Sequence, residues 1–308
     1  MKIYNSIEEF SKLANAIVTI GTFDGVHEGH LQIIHRLKEL ADQQTGETVV
    51  LTFFPHPRMV LQPDDNGMKL ITSMEERKTL LRKNGIQHLI IQPFDKEFSR
   101  LSAVEFVRDI LVQKIGMKTM VIGYDHQFGR NREGTYKDLE EMAPIYGFSL
   151  EEITKMVVDK VAVSSTKIRN YLIEGKIELA NKLLGHDFML TGEVVEGDKI
   201  GRSLGFPTAN IKVSEPFKLI PKNGIYAVVA EVESNMYKGM LYIGTRPVVN
   251  GKKLSIEVNL FDFDQNIYGK KVSVFLKAWI RDDMNFDNLE QLKEKLKEDK
   301  LNATKLIS

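Results

Sequence analysis

Two histidines and three glycines lie within ten residues near the start of the chain, in the segment GTFDGVHEGH. Because this segment joins an apolar run of strand length to a helical pattern, Gly21, Gly25 and Gly29 allow backbone to approach a ligand closely. A strand-to-helix turn also presents free N–H groups, which favour phosphate. His27 and His30 can share one helical face, where imidazoles stabilise charge on phosphorus. A glycine-rich turn with two surface histidines is the alternative.

A run of hydroxyl side chains, at Ser164, Ser165 and Thr166, precedes a later helical pattern. Such residues are common helix caps, which is a purely structural interpretation. Lys167 and Arg169 follow in the first turn, where the helix dipole disfavours cations. A bound anion would offset that cost, and a guanidinium such as that of Arg169 can hold phosphate bidentately.

Two further segments follow predicted strands at the same edge of the sheet. The segment 123–134 is polar and punctuated by glycine, and within it Asp125 and Phe128 are candidate ligand contacts. An ordinary surface loop is the alternative. The FPHP segment contains His56 between two prolines, which make a rigid turn whatever its function, so we expect a structural role for this histidine.

The second half of the chain has a glycine-rich segment of its own. Gly197, Gly201 and Gly205 allow a flap whose N–H groups reach phosphates. Thr208 and Asn210 follow, and their hydroxyl and amide oxygens are hard ligands suited to Mg²⁺ when nucleotide phosphates complete the shell. A glycine-rich β-hairpin with a proline turn is the alternative.

A single carboxylate interrupts the alternating strand SIEVNLF. Glu257 on such a strand can accept a hydroxyl proton during phosphoryl transfer if the strand borders a cleft. The alternation places Glu257 on the polar face, so a solvent-exposed glutamate is the alternative.

The elements that must position these residues change character along the chain. In the first half, strands alternate with helices and are too apolar for one solvated face, which indicates a parallel sheet covered on both sides. The predicted strands span 16–20, 48–53, 88–92, 119–122 and 148–153, and the predicted helices span 31–37, 74–82, 103–114 and 136–145. Ligands of such sheets bind beyond the carboxyl ends of the strands.

After residue 185 the pattern becomes one of short strands separated by Gly, Asn and Asp, which is typical of a barrel or sandwich. The predicted strands span 189–195, 226–232, 239–243, 254–261 and 272–276, and a helix is predicted over 285–300. The change from α/β to mostly β places a domain boundary within 184–187.

Length and composition exclude several classes of protein. The length of 308 residues predicts about two domains. The 42 basic and 42 acidic residues balance, so the chain has no excess of positive charge to bind nucleic acid over a large area. The absence of cysteine excludes disulfides, zinc–thiolate sites and a cysteine nucleophile. Since no run approaches the ~18 apolar residues needed to span a bilayer, we expect a cytoplasmic protein that binds neither membrane nor nucleic acid.

Four motifs of the first half, GxFDGxHxGH, FxPHP, GxDxxFG and SSTxIR, together resemble the adenylyltransferase module of bacterial riboflavin kinase/FAD synthetases. The resemblance implies that residues 1–184 form an FMN adenylyltransferase (FAD synthetase) domain with the α/β Rossmann-like fold of HIGH-type nucleotidyltransferases. It assigns His27, His30 and Arg169 to the triphosphate of ATP. The residues expected to bind nucleotide or flavin are Gly21, Phe23, Asp24, Gly25, Gly29, Ser164, Ser165 and Thr166, and the loop after the fourth predicted strand adds Asp125 and Phe128 as candidates.

The second half is similar to the riboflavin kinase module of the same family, through GRxLGFPTAN, PxxGIYA, IGTRP, IEVNLFDFD and IYGK. This resemblance implies that residues 185–308 form a riboflavin kinase domain, a Greek-key β-barrel with a C-terminal helix. Thr208 and Asn210 would then bind Mg²⁺ with ATP, in a site that includes Gly197, Gly201 and Gly205. Glu257 would be the base on the ribityl hydroxyl.

The resemblance therefore implies a bifunctional enzyme that phosphorylates riboflavin to FMN and adenylylates FMN to FAD, with ATP, riboflavin, FMN and FAD as its partners. Three alternatives remain open. The first is an enzyme with a single activity, whose kinase-like barrel only binds flavin. The others are a nucleotidyltransferase that acts on a pantetheine or nicotinate phosphate, and a flavin-sensing protein without turnover. The sequence leaves a homo-oligomer open.

Overall fold

A computed structural model describes residues 1–62, 67–123, 126–153, 163–197, 200–248 and 251–307. The chain divides into two compact units. Residues 1–69 and 77–164 form the first unit, and residues 70–76 and 165–308 form the second. The predicted boundary at 184–187 stays a prediction, although residues 165–184 lie with the second unit.

Among the described residues of the first unit, six strands form a parallel sheet. They are β1 (Lys2–Tyr4), β2 (Ala16–Ile20), β3 (Glu47–Phe54), β4 (His88–Pro93), β5 (Met117–Gly123) and β6 (Ser149–Ile153). The spatial order is β1-β4-β3-β2-β5-β6. Every residue of β2 is buried, as expected for a strand covered on both faces. The predicted α/β fold is confirmed; β1 was missed because it has only three residues and none is buried.

Helices connect these strands. They are α1 (Glu28–Gln44), α2 (Pro57–Leu61), α3 (Met74–Lys83), α4 (Ala103–Glu105), which continues as a π-helix over Phe106–Ile115, and α5 (Tyr136–Tyr146); 3₁₀ turns span Ile7–Glu9, Phe98–Arg100 and Arg130–Arg132. The 103–114 prediction therefore identified a helix but not its π form.

The order of the sheet reverses at β2, because the chain builds outward from β2 through β3 to β4 and later adds β5 on the other side of β2. Ligands of open parallel sheets bind at such a switch point, beyond the carboxyl ends of the strands. The segment with His27 and His30 follows β2, and the segment with Phe128 follows β5. The fold thus places both segments at the expected edge.

Six strands of the second unit close into an antiparallel barrel. They are β7 (Phe188–Val195), β8 (Ala209–Lys212), β9 (Gly224–Val232), β10 (Asn235–Val248), β11 (Gly251–Leu260) and β12 (Lys271–Arg281), in the order β10-β11-β8-β7-β12-β9. The helices of this unit are α6 (Ser165–Ile173), α7 (Ile177–Leu184), α8 (Ile200–Ser203) and α9 (Leu289–Leu306). The predicted barrel with a C-terminal helix is confirmed, and the short strand β8 was missed.

The C-terminal helix α9 covers part of the outer face of the barrel. Ala303 of α9 packs with Met240 of β10 and Ala278 of β12, and all three are buried. Arg281 at the end of β12 makes hydrogen bonds of 2.6 and 2.9 Å to the carboxylate of Asp299, which is fully buried on α9. The helix begins four residues later than predicted because the Asn288 side chain caps it.

None of the helices in the described part of the chain is long and apolar enough to cross a membrane.

Candidate active sites

The first candidate site is the turn between β2 and α1, whose backbone is strained. Phe23 and Val26 have φ angles of 48° and 41°, and Gly25 has 87°. A β-branched residue such as Val26 rarely adopts this region, and such strain persists where the surrounding structure enforces it, often at functional sites. Phe23 and Val26 are at most 1% exposed, so packing holds the turn in place.

His27 lies immediately before α1 and caps it. Its Nδ1 accepts a hydrogen bond of 3.3 Å from the backbone N–H of His30, so the proton of the neutral ring is on Nε2. The two imidazole rings stack with centroids 3.7 Å apart and an interplanar angle of 9°. A Cβ at Gly29 would lie 3.3 Å from Cε1 of His27, so glycine leaves room for this ring. The predicted pairing of the two histidines on one face is observed.

His30 is held as a neutral ring. Burial, the adjacent His27 and the positive charge of Arg77 together lower the pKa of His30 well below its usual value. Its buried Nδ1 has no hydrogen-bond partner within the described residues. A bound anion would favour the protonated ring and offer a partner to this nitrogen.

Arg77 is a residue of this site that the sequence analysis missed. It lies on α3 and is 1% exposed, and its Nη2 is 3.7 Å from Oδ1 of the equally buried Asp24 in the β2–α1 turn. Arg77 precedes the buried Leu80 and Leu81 by three and four residues, which places it on the apolar side of α3. A cation at such a position is the signal that could have identified it.

The segment after β5 contributes less than expected to an open site. Phe128 is 6% exposed and its ring packs in the core, with its centroid 6.1 Å from that of Phe106. Gly134 allows this packing, since a Cβ there would lie 2.7 Å from the Phe128 ring. A flavin contact at Phe128 stays a prediction, and Asp125 lies outside the described residues.

The predicted caps at 164–166 take a different position. The helix α6 begins at Ser165, so Ser165 and Thr166 are in its first turn and Ser164 precedes it. Arg169 is half-buried on the same helix. These α6 residues belong to the second compact unit, whereas His27 and His30 belong to the first. Their action on one triphosphate stays a prediction.

The second candidate site is a cavity of about 220 Å³ on the outside of the barrel. Its polar lining includes Thr208 and Glu257, two of the predicted site residues. Its apolar walls were missed by the sequence analysis, because their residues come from separate strands, loops and α9. They are Leu204, Phe206, Ile225, Met240, Met284, Phe286, Leu292 and Leu296.

The Glu257 carboxylate is held by two hydroxyl groups. The Thr208 hydroxyl donates to Oε2 at 3.1 Å, and the Ser255 hydroxyl donates to Oε1 at 2.8 Å. Asn210 pairs with Glu257 in the register of β8 and β11. The structure thus brings together Thr208, Asn210 and Glu257, although the last two are 47 positions apart in sequence.

The side of the sheet on which Glu257 lies is the polar one, as the alternation predicts, but it is not simply solvated. Ile256 and Val258 on either side of it are buried. Glu257 is half-buried and lines the cavity. The alternative of a free surface glutamate is therefore wrong, because α9 and the segment before it cover this part of the outer face.

Two of the three predicted glycines make room for the site. A Cβ at Gly197 would lie 2.1 Å from Nδ2 of Asn210, and a Cβ at Gly201 would lie 2.3 Å from the carbonyl oxygen of Phe206. At Gly205 a φ of +85° requires glycine for conformational reasons instead. The loop is also anchored from β11, where Asn259 Nδ2 donates to the Pro207 carbonyl at 2.7 Å.

Comparison with known proteins identifies both halves of the chain. The FAD synthetase family model matches residues 9–167, and the riboflavin kinase family model matches residues 184–307. A bifunctional riboflavin kinase/FMN adenylyltransferase of Buchnera aphidicola is 37% identical over 97% of this chain and 96% of its own length. The chain belongs to the bifunctional riboflavin kinase/FMN adenylyltransferase family.

Other relatives agree with this assignment. The bifunctional riboflavin kinase/FMN adenylyltransferase of Escherichia coli K12 is 34% identical over 98% of this chain and 97% of its own length. A crystal structure described as a macrolide-efflux protein from Streptococcus pneumoniae has a TM-score of 0.89 at 30% identity, covering 98% of both chains. It shares the fold of this riboflavin kinase/FMN adenylyltransferase family member along almost its whole length.

Family membership confirms the resemblance inferred from the sequence motifs. The His27–His30 turn lies within the FAD synthetase match, and Thr208, Asn210 and Glu257 lie within the riboflavin kinase match. The order of the two modules is the one that the motifs predicted. The prediction of a bifunctional riboflavin kinase and FMN adenylyltransferase, with the FAD synthetase domain first and the riboflavin kinase domain second, is confirmed.

Proposed function

We propose that the chain converts riboflavin to FMN in the barrel and FMN to FAD at the edge of the parallel sheet, using one ATP for each step. The first module would occupy residues 1–184 and the second 185–308. One observation carries the barrel assignment: a half-buried carboxylate faces a cavity with apolar walls and is held beside a threonine and an asparagine. That arrangement suits a flavin hydroxyl and a nucleotide together.

In the barrel, Glu257 accepts the proton of the ribityl hydroxyl. The hydroxyl oxygen forms a bond to the γ-phosphorus of ATP, the bond from that phosphorus to the β,γ-bridging oxygen breaks, and ADP leaves. Hydrogen bonds from the hydroxyl groups of Thr208 and Ser255 orient the Glu257 carboxylate towards the cavity where the substrate hydroxyl would lie. The apolar walls contribute aromatic and methionine surface that fits the flavin ring.

The residues around Thr208 fit a magnesium ion with ATP. The Thr208 hydroxyl donates its hydrogen bond to Glu257, so the lone pairs of its oxygen can face a cation. The Asn210 amide lies against Gly197, where no side chain competes for the space. Bound there, Mg²⁺ would neutralise charge on the phosphates during transfer.

At the sheet edge, a phosphate oxygen of FMN attacks the α-phosphorus of ATP, and pyrophosphate leaves with the oxygen that bridged the α and β positions. The Nε2–H of His27 donates to the phosphate, because its Nδ1 is occupied by the N–H of His30. His30 is neutral before ATP binds and gains affinity for a proton when the triphosphate arrives. Positioning and charge stabilisation suffice, and no covalent intermediate is needed.

Arg169, with Ser164, Ser165 and Thr166 at the start of α6, is proposed as a further triphosphate contact. A guanidinium can hold two phosphate oxygens at once. ATP, riboflavin, FMN and FAD are the substrates and products that fit these activities. A cytoplasmic location, the absence of nucleic-acid binding and the oligomeric state stay predictions.

The proposal is tested by giving the enzyme riboflavin or FMN separately, with ATP and Mg²⁺, and resolving the products by chromatography. We expect Glu257→Gln to abolish FMN formation while FMN-to-FAD conversion persists. We expect His30→Ala to slow FAD formation by about 10²- to 10³-fold, as for the loss of an oxyanion donor, while FMN formation persists. Each variant serves as the control for the other.

The same assay separates the alternatives. FAD formation from FMN without any FMN formation from riboflavin would indicate a single activity beside a flavin-binding barrel. The absence of both products, with riboflavin still bound, would indicate a flavin-sensing protein. Full activity of both variants would remove His30 and Glu257 from the chemistry.

A further inference from the structure

A tyrosine on β10 is hydrogen-bonded to the segment that closes one side of the barrel cavity. The Tyr242 hydroxyl donates to Oδ2 of Asp283 at 3.0 Å, and both residues line the cavity. Asp283 belongs to the segment 282–288, which joins β12 to α9 and is called the closing segment below. The hydrogen bond therefore joins strand β10 to the exposed closing segment.

The strand register places Tyr242 beside the proposed base. In the antiparallel pairing of β10 with β11, Tyr242 lies opposite Glu257, so the two side chains leave the sheet on the same face. Leu241 and Ile243, the neighbours of Tyr242 along β10, are fully buried on the other face. Tyr242 thus belongs to the face that carries the reaction.

Gly244 permits the position of the tyrosine ring. A Cβ at Gly244 would lie 1.9 Å from the Tyr242 hydroxyl oxygen, far below any van der Waals separation. The ring therefore lies along its own strand over a glycine, and from there its hydroxyl reaches Asp283. Any larger residue at position 244 would force the Tyr242 ring to move.

The closing segment supplies apolar wall as well as the hydrogen-bond acceptor. Met284 and Phe286 line the cavity, and Met284 is 47% exposed. The Arg281 guanidinium is 5.9 Å from the ring centroid of Phe286, which supports that end of the segment. Asp283 lies between these anchors, and its own Oδ1 accepts from the N–H of Met284 at 2.9 Å. Fixing Asp283 therefore fixes the backbone at Met284.

We propose that Tyr242 is a positioning residue that sets riboflavin affinity by holding the closing segment, through Asp283, against the cavity. The inference rests on the proposed function, because it takes the flavin to bind between this segment and β10. The Tyr242 hydroxyl acts on the wall of the cavity and not on the transferred phosphoryl group. Its loss weakens flavin binding and leaves the chemical step intact.

The test uses the full chain and the Tyr242→Phe variant, which keeps the ring and removes only the hydroxyl. We expect KM for riboflavin in FMN formation to rise about 3- to 10-fold, as for the loss of one hydrogen bond, with kcat within about 2-fold of the parent. The dissociation constant of riboflavin without ATP, measured by quenching of flavin fluorescence, should rise by the same factor. FMN-to-FAD conversion should not change.

Variants of Asp283 identify the path of the effect. Asp283→Ala should match Tyr242→Phe, and combining the two should add little, because both remove the same bond. Asp283→Asn keeps an acceptor oxygen and should restore most of the affinity. Tyr237→Phe is the matched control, since this tyrosine lies on β10 and packs on Phe263 with centroids 4.8 Å apart.

Three results would overturn the proposal. Unchanged KM and riboflavin affinity in Tyr242→Phe would show that the hydroxyl does not position the segment. A fall in kcat at constant KM would show that Tyr242 acts on the chemistry instead. Additive effects in the double variant would show that Tyr242 and Asp283 act separately. Failure of the parent enzyme to form FMN would instead refute the proposed function itself.

Discussion

Lys218 and Glu76 form a buried ion pair inside the second unit, and removing one of the two partners should strongly destabilise that unit. Lys218 Nζ is 2.6 Å from Glu76 Oε2, and both side chains are at most 1% exposed. Nζ also donates to the carbonyls of Ile71 and Met189, at 2.5 and 2.9 Å. The Glu76 carboxylate accepts in addition from the backbone N–H of Thr191 at 2.9 Å. The pair thus attaches the segment 70–76 to the barrel.

Lys218→Met removes one charge and leaves the other buried. The two carbonyls lose a donor, and among the described residues the Glu76 carboxylate keeps the backbone N–H groups of Ser73 and Thr191 as its partners. Breaking a buried pair in this way costs about 3–5 kcal/mol. With a urea m-value of about 2 kcal/mol/M for a unit of this size, the midpoint should fall by about 2 M. The double variant with Glu76→Gln should lose less than Lys218→Met, because no buried charge is left.

Urea unfolding followed by tryptophan fluorescence measures this effect, because the one tryptophan of the chain, Trp279, lies on β12. Lys270→Met is the matched control, since Lys270 pairs at 2.8 Å with Glu233 but both side chains are over a third exposed. Such a pair is worth about 0–1 kcal/mol. A midpoint for Lys218→Met equal to that of the control, or a double variant no more stable than Lys218→Met, would refute the reasoning.

Three further predictions concern other parts of the chain. Because folding lowers the pKa of His30, the unfolded chain takes up the proton at a higher pH than the folded chain does. The free energy of unfolding of the first unit should therefore fall by up to about 1.4 kcal/mol for each pH unit below about pH 6.5. His30→Asn should remove this pH dependence, as measured by hydrogen exchange. Gly197→Ala places a methyl group against Asn210 and should slow FMN formation by about 10- to 100-fold without changing FMN-to-FAD conversion; equal loss of both would contradict the assignment. Arg281→Ala leaves the buried Asp299 uncompensated and should destabilise the second unit by about 3–5 kcal/mol in the Trp279 assay, whereas a loss below about 1 kcal/mol would show that water reaches Asp299.

Local patterns were enough to predict most of the elements. The run 16–20 matches β2 in full, and 74–82 differs from α3 by a single residue. Both elements have a strong periodicity and clear boundaries, and periodicity depends only on residues close in the chain. The errors occur where the local signal is weak, as in the three-residue β1 and the four-residue β8, or where a cap decides the start, as at Asn288 before α9.

The candidate sites were predicted only in part. The motifs located His27, His30, Thr208 and Asn210, because each motif is a short stretch of unusual residues. Arg77 belongs to no motif. Its one local signal is its place three and four residues before Leu80 and Leu81, and only the buried aspartate 3.7 Å away shows what that position means.

What the sequence determined by itself is the order of the elements, the two-module organisation and the family, because these depend on periodicity and on contiguous motifs. The tertiary structure alone decided which distant residues meet: Glu76 with Lys218, which are 142 residues apart, and Tyr242 with Asp283, which are 41 apart. It also decided that the polar face of β11 carries Glu257 into a cavity rather than into solvent. The physical reason is that burial and pairing depend on where the folded chain brings remote segments together, and no local pattern records that.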